Sequence, residues 1–421
     1  MVGFVTLIIW GAYLFSLYFM IFWLIILLEG GLKEENKHSS LRPMVTILIP
    51  AYNEETTIKG TVQSVIDLDY PKENREIIIV NDGSTDNTQH MINAFISNHP
   101  NENIQLINQK NQGKGVALNT GLRMAKGEYF TCLDADSTVA SDCLIRMLPH
   151  FEEKDVAAVL PLMKVRNPKT LLERVQWVEY LINLFYKKLM SYINCVHVAP
   201  GPFSVYKTQI LRSVGGFDEK NLTEDLEISM RLQKYHYKIK QLIGPEVYTK
   251  APKTLKAVYK QRNRWYKGTT INIWKYKNLI FNKKYGDFGI LQMPWVILAG
   301  VLTVILFLLT NYHFIIIPIK DLFINLKAIH FDFFVMFKNW EIFALDKWLF
   351  GMNYMNVSLA FFGLILAIVT IYLSYKATRE KFTKERMFIT IPAYLLIYGI
   401  IIAIAWTSVV IDLIRGNVQK W

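Results

Sequence analysis

Long uncharged apolar runs flank one stretch of ordinary soluble composition, and that pattern restricts the chain to a domain carried on membrane segments. The runs cover 4–28, 288–309, 357–375 and 388–411, and the soluble stretch extends over about 31–287. The first run is long enough to cross a hydrocarbon core ~30 Å thick at ~1.5 Å per residue. No basic segment precedes it and no small-x-small site lies before Glu29, so it reads as an uncleaved signal-anchor helix. Residues 311–354 mix Phe, Ile and Trp with Lys and Asp, which is an interfacial or re-entrant composition. The expected division is therefore a spanning helix in 1–30, a domain in 31–287, and a membrane region in 288–421 with about three spans.

Charge orients these pieces. Lys376, Arg379, Lys381, Lys384 and Arg386 cluster after the third run, and a short basic loop of this kind stays in the cytosol. Counting crossings from it places the middle domain inside the cell, with 311–354 and both termini outside. The chain is then a multi-pass protein of the cell membrane. Its net charge of +12 is explained by topology and lipid contact, without nucleic acid. The three cysteines, Cys132, Cys143 and Cys195, make neither a disulfide framework nor a metal-ligand pattern, and they read as small buried hydrophobes.

Within the middle stretch, short apolar runs alternate with helical spacing. Strands are expected at 45–49, 76–80, 104–107 and 129–133, and helices at 55–68, 85–96 and 114–125. Near-continuous β-branched runs between helices predict an α/β fold with a parallel sheet buried on both faces. Ligands of such sheets bind beyond the carboxyl ends of the strands. Polar groups, all but one of them acidic, follow the strands there: Asn53, Glu54 and Glu55, then Asp82 and Asp86, then Asp134 and Asp136. Taken singly, Asn53 and Asp86 also suit helix N-caps, and Asp82-Gly83 an ordinary turn. Together they suit a nucleotide sugar, whose base and ribose need acceptors and whose diphosphate needs a hard divalent cation on carboxylate oxygens. Gln112-Gly113-Lys114-Gly115 opens a helix, where Lys114 could meet a phosphate, though neither a Walker A nor a dinucleotide fingerprint is present.

Five segments in this order resemble the membrane-bound, mostly processive family 2 glycosyltransferases. They are Pro50-Ala51-Tyr52-Asn53-Glu54, Val80-Asn81-Asp82-Gly83-Ser84, Asp134-Ala135-Asp136, Thr223-Glu224-Asp225 and Gln261-Arg262-Asn263-Arg264-Trp265. That family includes hyaluronan, chitin, cellulose and poly-N-acetylglucosamine synthases. The resemblance implies a cytosolic GT-A fold, Rossmann-like with a mostly parallel sheet, carried between N- and C-terminal transmembrane helices. It implies that Ala51, Tyr52, Glu54 and Asp82 hold uridine, that Asp134 meets the ribose side, and that Asp136 binds Mg²⁺ or Mn²⁺ on the diphosphate. Asp225, with Glu224 beside it, becomes the catalytic pair and Asp225 the general base. Gln261 and Arg264 contact the diphosphate, while Trp265 stacks on the acceptor sugar. Gly201-Pro202 resembles the acceptor segment of hyaluronan- and chitin-type synthases.

The implied reaction is metal-dependent inverting transfer from a UDP-sugar, with N-acetylglucosamine or a related hexose as donor, to a growing β-linked polysaccharide, coupled to export. A non-processive enzyme with a lipid or lipid-linked acceptor is the alternative, and membrane lipids, a second copy or an accessory subunit are the partners expected. Leu171, Val175, Val178, Ile182, Phe185 and Leu189 predict an amphipathic helix over 171–192, either on the membrane surface or packed on the sheet. A second interface helix is expected over 255–280.

Overall fold

The computed structural model describes residues 2–33, 37, 39–312, 316–328, 330–331, 354–380 and 384–416. They form two compact units, Met1–Phe22 with Leu298–Tyr372, and Trp23–Ile297 with Leu373–Trp421. In the first unit the described residues are helical apart from a few at helix ends. The second is built on a sheet, and the candidate site belongs to it.

The order of elements begins with α1 (Val2–Leu28), β1 (Val45–Ala51), α2 (Ile58–Ile66), β2 (Arg75–Asp82), α3 (Thr88–Asn98), β3 (Ile104–Gln109), α4 (Lys114–Met124) and β4 (Tyr129–Cys132). It continues with β5 (Thr138–Val139), α5 (Cys143–Met147), β6 (Val156–Val165), α6 (Leu171–Tyr192), β7 (Val205–Lys207) and α7 (Thr208–Ser213). Then come α8 (Glu224–Lys234), β8 (Lys238–Thr249) and α9 (Leu255–Lys275). The eight strands lie in the order β3-β2-β1-β4-β7-β6-β8-β5. β1, β2, β3 and β4 run parallel, and β7 is inserted antiparallel between β4 and β6.

Sequence and layer agree closely here. β2 is buried at all eight positions, as an apolar run covered by helices on both faces must be. β3, at the edge, has no fully buried position, and Gln105 and Asn108 on it are exposed. The helix expected at 55–68 starts later, at Ile58, because residues 53–57 are spent on a loop that serves the site. Cys132, Cys143 and Cys195 are buried free thiols.

α6 starts from a reciprocal capping box, Thr170 with Glu173. Its apolar stripe, including Val178, Leu181, Leu184, Phe185 and Leu189, packs over β6 and β8. Of the two placements left open, this is the sheet. Three described helices are long and apolar enough to cross a membrane, Trp10–Leu28, Phe288–Leu309 and Met387–Ile414, and Phe361–Ala377 is a shorter apolar helix. The run from Met387 is interrupted by Pro392 and a π turn, Tyr394–Tyr398, before the helix Gly399–Ile414. Of the interfacial region at 311–354, a helix Ile317–Ala328 is described and most of the rest lies outside the described residues.

Candidate active site

The loops after β1 and β2 are sewn to each other. Asn53 adopts φ +55°, its N–H donates to Ser84 Oγ at 3.0 Å, and its Oδ1 accepts from Thr85 N–H at 2.8 Å. Glu54 N–H donates to Thr88 Oγ1 at 2.7 Å and Glu55 N–H to Asp86 Oδ2 at 3.2 Å. Asn53 and Asp86 therefore cross-link two loops, and the N-cap positions fall to Thr57 and Asn87 instead. The stitching leaves Tyr52 47% exposed beside the buried Ala51, a ring free to lie against a planar base.

Asp82 is buried, and its carboxylate gathers the loop before α4. Oδ1 accepts from Gln109 Nε2 at 2.7 Å and Gln112 N–H at 3.1 Å, and Oδ2 from Gly113 N–H at 2.9 Å. Gly113 sits at φ +93°, a conformation that a side chain would strain. A carboxylate offers about four acceptor positions, so Asp82 keeps capacity for one further donor.

This loop delivers Lys114 to the centre of the site. Its Nζ lies 2.7 Å from Asp134 Oδ1, just past β4, and 3.1 Å from Glu224 Oε1 at the start of α8. Both carboxylates hold the ammonium well above its usual range, against the opposing effect of burial. Gly201 closes the same corner: a Cβ there would lie 3.0 Å from Lys114 Nζ and 3.4 Å from Asp134 Oδ2. Pro202 and Phe203 behind it are buried, and Phe203 is held at φ +59°, unusual for a bulky residue. Residues from four separate segments thus meet within one corner of the sheet's carboxyl end.

Two acids there have displaced ionisation. Asp136 is half-buried, accepts from Ser137 Oγ at 3.0 Å, and is pushed up by burial first and by neighbouring Asp134 second. Asp225 is half-buried, takes Leu226 N–H on Oδ1 at 2.8 Å, and is pushed up to about 6. Burial is the main cause and Glu224 the next, while Lys114 and Arg264 oppose them. Lys187 on α6 also faces this acid: burial lowers it to about 8, and Asp225 pulls it back. Lys187 belongs to none of the sequence motifs, and nothing in the chain connects it to Asp225.

α9 carries the last motif. Gln261 Oε1 accepts from Arg262, Arg264 is partly exposed within electrostatic reach of Asp225, and Trp265 is half-buried against Val165, Tyr180 and Ala251. The buried Arg262, whose position the motif leaves unspecified, lies over the Trp265 ring at 4.1 Å. Among the described residues no cluster of three His, Cys, Asp or Glu forms a ready metal cage. Crowded Asp134 and Asp136 nonetheless fit a hard cation, which commonly takes one or two carboxylates and completes its shell with phosphate oxygens and water.

Comparison with known proteins agrees with this architecture. The model of Glycosyl transferase family 2 matches residues 46–215. A poly-β-1,6-N-acetyl-D-glucosamine synthase of Staphylococcus epidermidis is 35% identical over 227 residues, covering 53% of this chain and 54% of that protein. The synthase of Staphylococcus aureus strain COL is 36% identical over the same length. The chain thus matches about half the length of these curated relatives. Among solved structures, the mannosyltransferase PcManGT from Pyrobaculum calidifontis, in complex with GDP-Man and Mn²⁺, superposes with a TM-score of 0.60 at 17% identity. That likeness covers 97% of this chain and 96% of the other, and it establishes the GT-A fold. Residues 46–215 thus match the family 2 glycosyltransferase model, and about half of the chain is similar to these synthases.

Proposed function

We propose that this family 2 glycosyltransferase moves a sugar, with inversion, from a UDP-sugar to the hydroxyl end of a growing β-linked polysaccharide. The donor we favour is UDP-N-acetylglucosamine, the acceptor an oligosaccharide of the same sugar, and the working face cytosolic. The observation that carries the reading is the convergence of Lys114, Asp134, Glu224 and Asp225 at one corner of the sheet. The names and the similarity of the staphylococcal relatives support the choice of polymer and sugar.

In a one-step displacement the acceptor oxygen bonds to the anomeric carbon as the bond from that carbon to the diphosphate breaks. The acceptor proton passes to Asp225, and UDP departs with the bonding electrons. Asp225 is suited to this because a base that titrates near the working pH is both free to accept and strong enough to pull. Lys114 and Arg264 bring fixed positive charge to the side where the leaving group becomes negative. Asp136, with Asp134 beside it, would hold Mg²⁺ or Mn²⁺, which when bound neutralises diphosphate charge. Tyr52 and Asp82 receive the base, and Trp265 offers its ring to the acceptor sugar. The domain of 31–287 then lies on the cytosolic side, with the basic loop at 376–386 marking the same side.

Purified protein in lipid nanodiscs, given UDP-N-acetylglucosamine and Mn²⁺, is expected to release UDP and build products longer than a disaccharide. Single additions to lipid would overturn the polymer, and no UDP release from any UDP-sugar would overturn the donor.

A further inference from the structure

We infer that Glu179 and Tyr398 are positioning residues that act through Arg262 to fix Trp265, which makes the π-turn end of a C-terminal apolar segment part of the acceptor platform. The inference rests on the proposed role of Trp265. Arg262 lies on α9 and its side chain is completely buried. Its Nε is 3.2 Å from both Glu179 Oε1 and the Tyr398 hydroxyl, and a second nitrogen donates to that hydroxyl at 2.8 Å and to Glu179. The third nitrogen donates to Gln261 Oε1, and the Tyr398 hydroxyl itself donates to Glu179 Oε2 at 2.7 Å. Every nitrogen of the fork is used, and the guanidinium is left no rotational freedom over the indole at 4.1 Å.

The geometry of α9 explains why such a clamp is needed. At about 100° per residue, Tyr259, Asn263, Tyr266 and Lys267 share one face of the helix, and Gln261, Arg264 and Trp265 share the opposite one. The first face is bolted to the helix Gly399–Ile414. Tyr259 and Asn263 reach Ser408 at 2.6 and 3.2 Å, Lys267 reaches Asp412 at 2.7 Å, and Tyr266 stacks on Trp406 with centroids 4.5 Å apart. Arg262 stands at the border between the two faces. It is the residue through which a helix fixed from behind can hold the ring in front. A buried ion pair is a poor device for stability, since apolar residues of equal volume usually serve as well or better. Directional hydrogen bonds are what an apolar replacement would lose.

Variants Tyr398→Phe and Arg262→Lys are compared with the parent in nanodiscs, each checked by thermal midpoint and UDP binding. The acceptor probe is a β-1,6-linked N-acetylglucosamine oligomer, and Trp265 is followed by ¹⁹F NMR in 5-fluorotryptophan-labelled protein, its line identified with Trp265→Phe. A platform loosened by about 1 Å is expected to raise the acceptor KM roughly tenfold, leave the donor KM within about twofold, and shift or split the Trp265 line. Glu179→Asp, which keeps the charge, is expected to retain more acceptor affinity than Glu179→Gln. An unmoved Trp265 line in both folded variants, or donor and acceptor KM rising together, would overturn the inference. If the parent itself transfers to no acceptor, the functional reading fails, while the ¹⁹F line still decides whether Glu179 and Tyr398 fix the ring.

Discussion

Two of the charged regions of this molecule are built on opposite terms. Around Lys114, carboxylates outnumber cations: Asp134, Asp136, Glu224 and Asp225 face Lys114, with Lys187 and Arg264 within electrostatic reach of Asp225, and two of the acids are pushed toward protonation. Around Arg262, the cation has a carboxylate, a hydroxyl and an amide oxygen as partners, and its charge is fully answered. An unanswered cluster is held open for something that brings compensating charge, as a metal-bound diphosphate does. An answered cluster holds neighbours in place. Substitutions in the first should remove chemistry and spare the fold, whereas those in the second should disturb fold and position together.

The largest effect is expected from Asp225→Asn, which keeps the shape and removes the proposed base. Transfer should fall by about 10²–10⁴-fold in a UDP-release assay, with UDP affinity retained. Full activity would remove Asp225 from the mechanism. Glu179→Ala tests the answered cluster. Leaving Arg262 buried without its carboxylate should cost ~3–5 kcal/mol in denaturant unfolding, and a cost under ~1 kcal/mol would show that the pair is not a rigid element. Lys114→Met should lower kcat by about 10²-fold, comparable to losing one donor to a developing negative charge, with little loss of stability.

A smaller effect is expected from pH. Because the folded state raises Asp225 to about 6, kcat should fall as pH drops through that value, about tenfold for each further unit, as the base takes up its proton. The sign for stability is opposite. A carboxyl raised by the fold favours the protonated native state, so this group contributes no loss of stability on acidification from 7 to 5. Coincident loss of activity and of thermal midpoint over that range would assign the pH dependence to unfolding instead. The smallest change is Gly201→Ala, whose Cβ would press on Lys114 Nζ at 3.0 Å. The flexible end of a lysine can yield, so a fewfold rise in donor KM is expected, and an unchanged KM would detach the 201–202 segment from the site.

Much of this organisation was legible in the chain. β1, β2 and β4 were readable because apolar runs buried on both faces leave an unmistakable record, and the long apolar helices because of their length and composition. Asp134 and Asp136 could be singled out because acidic residues at strand ends sit in a recognisable local pattern, whereas Asp225 was marked only by the resemblance of Thr223-Glu224-Asp225 to a family motif. Spacing also showed the amphipathic stripe of α6, although not the surface it would cover.

Other relationships have no local signature. Lys187 lies within electrostatic reach of Asp225 from a different helix, and Glu179 and Tyr398 reach Arg262 across 83 and 136 residues of chain. β5 to β8 were not expected from the sequence, which by itself determined β1 to β4, the apolar runs and which side chains carry charge. Those follow from periodicity and composition over a few turns. Only the tertiary structure decided that Asp82 would be occupied with the 112–113 backbone, that α6 would cover the sheet, and that Arg262 would be clamped over Trp265. Partners of a buried charge are chosen by three-dimensional proximity, and distance along the chain carries no trace of it.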